Sequence, residues 1–142
     1  MNSPIPRDEL TVLAAFAVVA DERSFNAGHN PPFLVRGKGD EVEVTQLDEG
    51  GPVLGLLPAA RYAQAQCDVH AGDVLVLYTD GLVEATNRAG EEYGERRLRE
   101  SLAASHASSA EEIRDALLVS TSAFVGAETY RDDVTLVIAK LA

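Results

Sequence analysis

Two hydrophobic periods divide this chain. Up to residue 87 the apolar residues fall in short runs separated by turn-forming residues, and beyond it they recur every three or four positions until a last apolar run. The first pattern predicts strands and the second helices. Residues 10–20 form an almost uninterrupted apolar run and read as a buried strand. Asn30-Pro31-Pro32 cannot be helical, because consecutive prolines push the preceding residue toward extended backbone. Residues 33–35 resume a strand, Gly37-Lys38-Gly39-Asp40 reads as a turn, and residues 42–47 predict a strand with one solvated face. A glycine-rich loop over 48–58 and a further strand over 62–69 follow. Residues 74–78, Val-Leu-Val-Leu-Tyr, have the density of a strand buried on both faces. After the turn Arg88-Ala89-Gly90-Glu91, residues 95–104 predict a helix with Leu98 and Leu102 on one face. Ser109 and Glu112 form a capping box, and Ile113, Ala116, Leu117, Ser120 and Phe124 trace a core-facing stripe that ends at Gly126. Residues 134–141 predict a last strand. Strands joined by short turns imply antiparallel pairing and an α+β fold.

The length of 142 residues suits one domain spanning 1–142 with a real core. A formal charge of −11 argues against a nucleic-acid partner, whose phosphates would be repelled. The apolar run before Ala20 is too short for a membrane helix and is preceded by Asp8 and Glu9, so neither a span nor a signal peptide is expected. Cys67 is the single cysteine, which excludes an internal disulfide and leaves a reducing cytoplasm as the expected compartment.

Candidate chemistry concentrates on two carboxylates. Asp80 follows the 74–78 strand and precedes Gly81, which allows a sharp change of backbone direction. Asp132 and Asp133 open the last strand. If that strand runs antiparallel beside 74–78, Asp80 and Asp132 meet at one sheet edge. Carboxylates converging without thiol or imidazole partners suit a hard cation such as Mg²⁺ or Mn²⁺. The structural alternatives are an Asp-Gly turn and a charged strand entry. The cluster of Arg96, Arg97 and Arg99 reads as a solvated helix face, and the 48–58 loop lacks a phosphate-binding glycine pattern.

Four segments resemble, in order, the carboxyl half of the PPM (protein phosphatase 2C-like) metal-dependent phosphatases in their bacterial SpoIIE-like branch. They are FNAGHNPPFLV at 25–35, GPVLGLL at 51–57, GDVLVLYTDGLVEATNRAGEEYG at 72–94 and RDDVTLVIAKL at 131–141. The resemblance implies an antiparallel β-sandwich flanked by helices and a dinuclear Mn²⁺ or Mg²⁺ centre. It also implies hydrolysis of phosphoserine or phosphothreonine by a metal-bound water, on a regulatory protein of the anti-sigma-factor antagonist class. Asp80 and Asp132 match metal ligands of the family, Gly81 its turn glycine and Asp133 a supporting position. His29 lies in the AGH segment near the metal cleft of relatives, as a supporting residue or a hydrogen-bonded turn histidine.

The amino-terminal family motifs, a GD-containing strand and a second Asp motif followed by glycines, are not found before Ala27. The expectation is therefore a domain incomplete at its amino-terminal side that binds metal weakly by itself. Exposed apolar sheet surface would be covered by a missing segment or by a second copy in a homodimer. The alternative is a non-catalytic regulatory or dimerising module that keeps the fold. A haloacid-dehalogenase-like aspartyl-phosphate enzyme is disfavoured, because it needs a second Asp two positions after the first and residue 82 is leucine.

Overall fold

The computed structural model describes residues 30–38, 41–48, 65–128, 130 and 132–142. Within them lie strands β1 (Phe33–Lys38), β2 (Glu41–Gln46) and β3 (Val74–Tyr78), and a one-turn helix α1 (Asp80–Val83). Helices α2 (Gly94–Ser105) and α3 (Ala110–Val125) and strand β4 (Leu136–Lys140) complete the set. The strands form one four-stranded sheet in the order β2-β1-β3-β4, with every neighbouring pair antiparallel. This is the mixed helix and antiparallel-sheet class that the two periods predict.

The pairing register sorts the side chains. Phe33 and Val35, Val74, Val76 and Tyr78, and Leu136 and Ile138 share one face, where Leu82, Tyr93, Leu98, Leu102, Ile113 and Leu117 pack against them. Burying side chains of this size stabilises by roughly 1.5–3 kcal/mol each, so this helix-covered face is the main source of stability. Strand β2 contributes Val42 and Val44 to it and turns Glu41, Glu43 and Thr45 to solvent, the solvated face expected of that strand. On the opposite face Leu34 and Leu75 are paired in register and buried, while Val137 on β4 is half exposed. The second face of the sheet is thus also apolar in its central strands, as the density of residues 74–78 implies.

Local signals account for the helix boundaries. The Ser109 hydroxyl accepts from the Glu112 N–H (3.2 Å) and the Glu112 carboxylate accepts from the Ser109 N–H (2.8 Å), which is the expected capping box. Gly126 ends α3 with φ +69°, a backbone state that side chains with a Cβ rarely adopt. The α2–α3 turn is held by Lys140, whose Nζ donates to the carbonyls of His106, Ala107 and Ser108. A cation just beyond the carboxyl end of α2 satisfies three carbonyls of the turn and lies favourably for the helix dipole.

Three expectations are corrected. The strand predicted over 62–69 is not formed at 65–69, which is irregular and exposed. The alternation there is compositional, whereas the chain is fixed by Arg36, which donates to the Asp68 carbonyl and to Asp73. The Arg96, Arg97 and Arg99 cluster is not a uniformly solvated face. Arg96 pairs with Glu100 in solvent, but Arg99 donates to the Val44 carbonyl and Gln46 and lies over the Phe33 ring, and Arg97 lies over Phe124. Two of the three guanidiniums therefore fasten α2 to its neighbours. Lastly, Gly37 and Lys38 belong to β1 rather than to the turn. The strand predicted over 10–20, most of the 48–58 loop and His29 lie outside the described residues.

Candidate functional site

The site is built where β3 ends and β4 begins. Tyr78 pairs with Leu136, so the residues beyond them, Thr79 and Thr135, face each other. The Thr79 N–H donates to the Thr135 carbonyl at 3.1 Å. Beyond this point the chain stops being a strand and makes one helical turn: the Leu82 N–H donates to the Thr79 carbonyl and the Glu84 N–H to the Asp80 carbonyl. Asp80 is the first residue of that turn rather than the corner of a simple Asp-Gly turn, which changes where its side chain leaves the backbone. Leu82 and Val83 anchor the turn in the core, and Asp80 is left exposed at the sheet end.

Asp132 and Asp133 stand at the same end. A Cβ placed on Gly81 would lie 2.5 Å from the Asp133 carbonyl oxygen and 3.2 Å from that of Asp132. Glycine is thus needed at 81 for close backbone approach, whereas the sequence suggests only a need for a sharp turn. The Asp80 carboxylate accepts from the Gly81 N–H (2.9 Å) and the Asp132 carboxylate from the Asp133 N–H (2.8 Å). Both carboxylates are exposed, and so is Asp133. The meeting of the two motifs expected from antiparallel pairing is therefore present. Among the described residues no group of three or more His, Cys, Asp or Glu side chains is arranged to hold a metal ion.

The surroundings are tied by hydrogen bonds and ring packing. Past α1 the chain forms a small hairpin in which Asn87 Oδ1 accepts from the N–H groups of Ala89 and Glu91, and Thr86 bridges Glu92. Tyr93 then enters the core fully buried, with its hydroxyl 2.8 Å from Ser120 Oγ and its ring edge-on to Phe124. At the other end of β3, Asp73 is buried and accepts from Arg36 through both carboxylate oxygens (2.7–3.2 Å). The Arg36 guanidinium holds the Asp73 carboxyl below the usual carboxylate range, against the opposing effect of burial. Burial pushes the Tyr78 hydroxyl up, reinforced by the Glu95 carboxylate beside it. These groups brace the ends of β3.

Comparison with known proteins identifies the lineage. The family model for stage II sporulation protein E (SpoIIE) matches residues 8–142. The chain belongs to the SpoIIE family. Protein IcfG of Synechocystis sp. is 30% identical over 112 residues, which is 79% of this chain and 17% of IcfG. Among solved structures, the PP2C domain of SiaA from Pseudomonas aeruginosa superposes with a TM-score of 0.60 at 20% identity, over 80% of this chain and 44% of that one. The manganese-presoaked phosphatase domain of SpoIIE from Bacillus subtilis gives 0.56 at 20% identity, over 81% of this chain and 48% of that one. These likenesses show that the fold is that of PP2C phosphatase domains. The chain spans less than half of each of these solved domains. No helix among the described residues is long and apolar enough to cross a membrane.

Sequence reasoning singled out Asp80, Asp132, Gly81 and Asp133, and the structure places all four where the β3 end meets the approach to β4. It missed Thr79, because the partners of its hydroxyl, the Thr135 N–H and the Asp133 carbonyl, are brought opposite it only by the β3–β4 register. The only hint in the sequence is a threonine in each of the two facing motifs, TDG and DDVT.

Proposed function

We propose that this chain is the carboxyl-terminal part of a metal-dependent protein serine/threonine phosphatase of the SpoIIE type. The observation that carries the reading is the hydrogen-bonded junction of the TDG and DDVT segments, which delivers Asp80 and Asp132 to one sheet end in a chain of this family. The donor set fits a hard divalent ion: all-oxygen, anionic, exposed to water and free of thiols and imidazoles among the described residues near it. Asp80 and Asp132 would hold Mn²⁺ or Mg²⁺, with Gly81 permitting the approach and Asp133 supporting it. His29 is a further supporting candidate from the AGH segment. Bound there, the ions would supply Lewis-acid activation of water and charge compensation at a phosphoryl group. Two carboxylates leave most coordination positions to water, which makes binding weak unless further ligands are supplied.

Membership of the family supports a substrate class. A phosphorylated regulatory protein of the anti-sigma-factor antagonist class would lose phosphate from serine or threonine by hydrolysis of the P–O ester, giving inorganic phosphate and the free hydroxyl. The cytoplasm is the matching compartment, and the exposed thiol of Cys67 agrees with a reducing one. The half-exposed sheet face around Val137 would be covered by an amino-terminal segment or a second copy.

The test is turnover of a phosphoserine peptide with Mn²⁺, compared with Asp80→Asn. Metal-dependent turnover abolished by the substitution supports the phosphatase reading. No turnover at millimolar Mn²⁺ sinks autonomous catalysis and favours the alternative, a non-catalytic regulatory or dimerising module of the same fold.

A further inference from the structure

Thr79 resolves a conflict at the end of β3. In a regular antiparallel hydrogen-bonded pair, two facing residues exchange both N–H···O bonds. Thr79 keeps one half of that exchange, its N–H donating to the Thr135 carbonyl (3.1 Å). Its own carbonyl accepts instead from the Leu82 N–H (3.1 Å), which opens α1. The side chain takes that place. The Thr135 N–H donates to Thr79 Oγ1 at 2.9 Å, and the same hydroxyl donates to the Asp133 carbonyl at 3.0 Å. The hydroxyl makes no capping bond to α1, so both its donor and acceptor functions go to the strand opposite. One side-chain oxygen therefore ties the backbone carrying Asp132 and Asp133 to the residue that precedes Asp80.

We propose that Thr79 is the positioning residue that holds the backbone of Asp132 and Asp133 against that of Asp80, so that the two aspartates can share a divalent-cation site. The inference rests on the reading of those two aspartates as ligands. Both carboxylates are exposed and each has its bond to the N–H of the next residue, so their relative placement is fixed by backbone rather than by side-chain packing. Gly81 lets the two backbones touch, and the Thr79 hydroxyl holds them in register. A site with few protein ligands gains most from such preorganisation, because water cannot compensate for a misplaced carboxylate. Partners that orient ligands typically change metal affinity by about 10–100-fold when removed.

The experiment is a Mn²⁺ titration of the full chain, read by the electron paramagnetic resonance signal of free Mn²⁺, with no activity readout. The wild type is compared with Thr79→Val, Thr79→Ser, Asp80→Asn and Asp132→Asn, each checked by circular dichroism for the folded state. Thr79→Val is expected to weaken binding about tenfold, and Thr79→Ser, which keeps the hydroxyl, to stay within about twofold. If Thr79→Val does not fold, Thr79→Cys, which keeps the size but bonds poorly, takes its place. Wild-type affinity in Thr79→Val, alongside lost binding in both aspartate variants, overturns the positioning role and leaves the ligands standing. A Thr79→Ser variant as weak as Thr79→Val overturns it too, since the hydroxyl is still there. Unchanged affinity in the aspartate variants, or no wild-type binding at millimolar Mn²⁺, overturns the ligand reading and the inference with it.

Discussion

A methyl group on Gly81 would come within 2.5 Å of the Asp133 carbonyl oxygen. The contact is with backbone at the start of the 133–135 segment, so relief requires the β3–α1 junction or the β4 entry to move. Gly81→Ala is expected to destabilise the chain by about 1–3 kcal/mol through overpacking. Urea denaturation measures this, and an unchanged midpoint would show that the two backbones are not in contact.

The Arg36–Asp73 pair makes stability depend on acid. The Asp73 carboxyl is held low mainly by its hydrogen bonds from Arg36. A carboxyl whose folded pKa is depressed stabilises fully above its unfolded value, near 3.8, and loses that contribution as pH falls through the folded value. Asp73→Asn should therefore cost about 1–3 kcal/mol at neutral pH. The gap between wild type and variant should stay level from pH 6 to 8 and close below about pH 4. Urea midpoints across that range check it, and a gap that persists at the acid end contradicts the assignment.

Arg99 and Arg96 should behave oppositely despite lying on one helix. Arg99 is over the Phe33 ring at 4.4 Å and donates to the Val44 carbonyl and Gln46, so Arg99→Lys, which keeps charge but not the planar fork, is expected to cost about 1–2 kcal/mol. Arg96→Ala removes only an exposed pair with Glu100 and should change stability by less than about 1 kcal/mol. Thermal unfolding of the two variants separates an anchoring arginine from a solvated one.

Loss of the α3 cap has a definite size. Ser109→Ala removes the acceptor for the Glu112 N–H and is expected to destabilise by about 1 kcal/mol. Ser109→Asp, which restores an acceptor at the same position, should recover most of it in the same denaturation assay.

What could be read from the residues alone was whatever depends on near neighbours. The Ser109–Glu112 box and the Leu98/Leu102 face rest on interactions within a few positions and form as the pattern implies, the apolar density of 74–78 marks the buried strand, and the last strand begins at Leu136, two residues later than its apolar run. Alternation misled at 65–69, because period-two polarity suits a half-buried strand but forms one only where a partner strand stands beside it. The arginines of α2 misled for a related reason: a helical wheel separates apolar from charged positions but does not show that a long aliphatic stem with a planar head can lie across Phe33. Asp80 opens α1 and Asp132 precedes β4, with α2 and α3 between them, so their candidacy came from the pattern and the motif resemblance, while the approach of the two segments was decided by the β3–β4 register. The register also gave Thr79 its task, since a hydroxyl can replace a ladder carbonyl only when a particular N–H stands opposite it. Local chemistry is written along the chain, but hydrogen bonds between distant strands exist only after the core has brought those strands together.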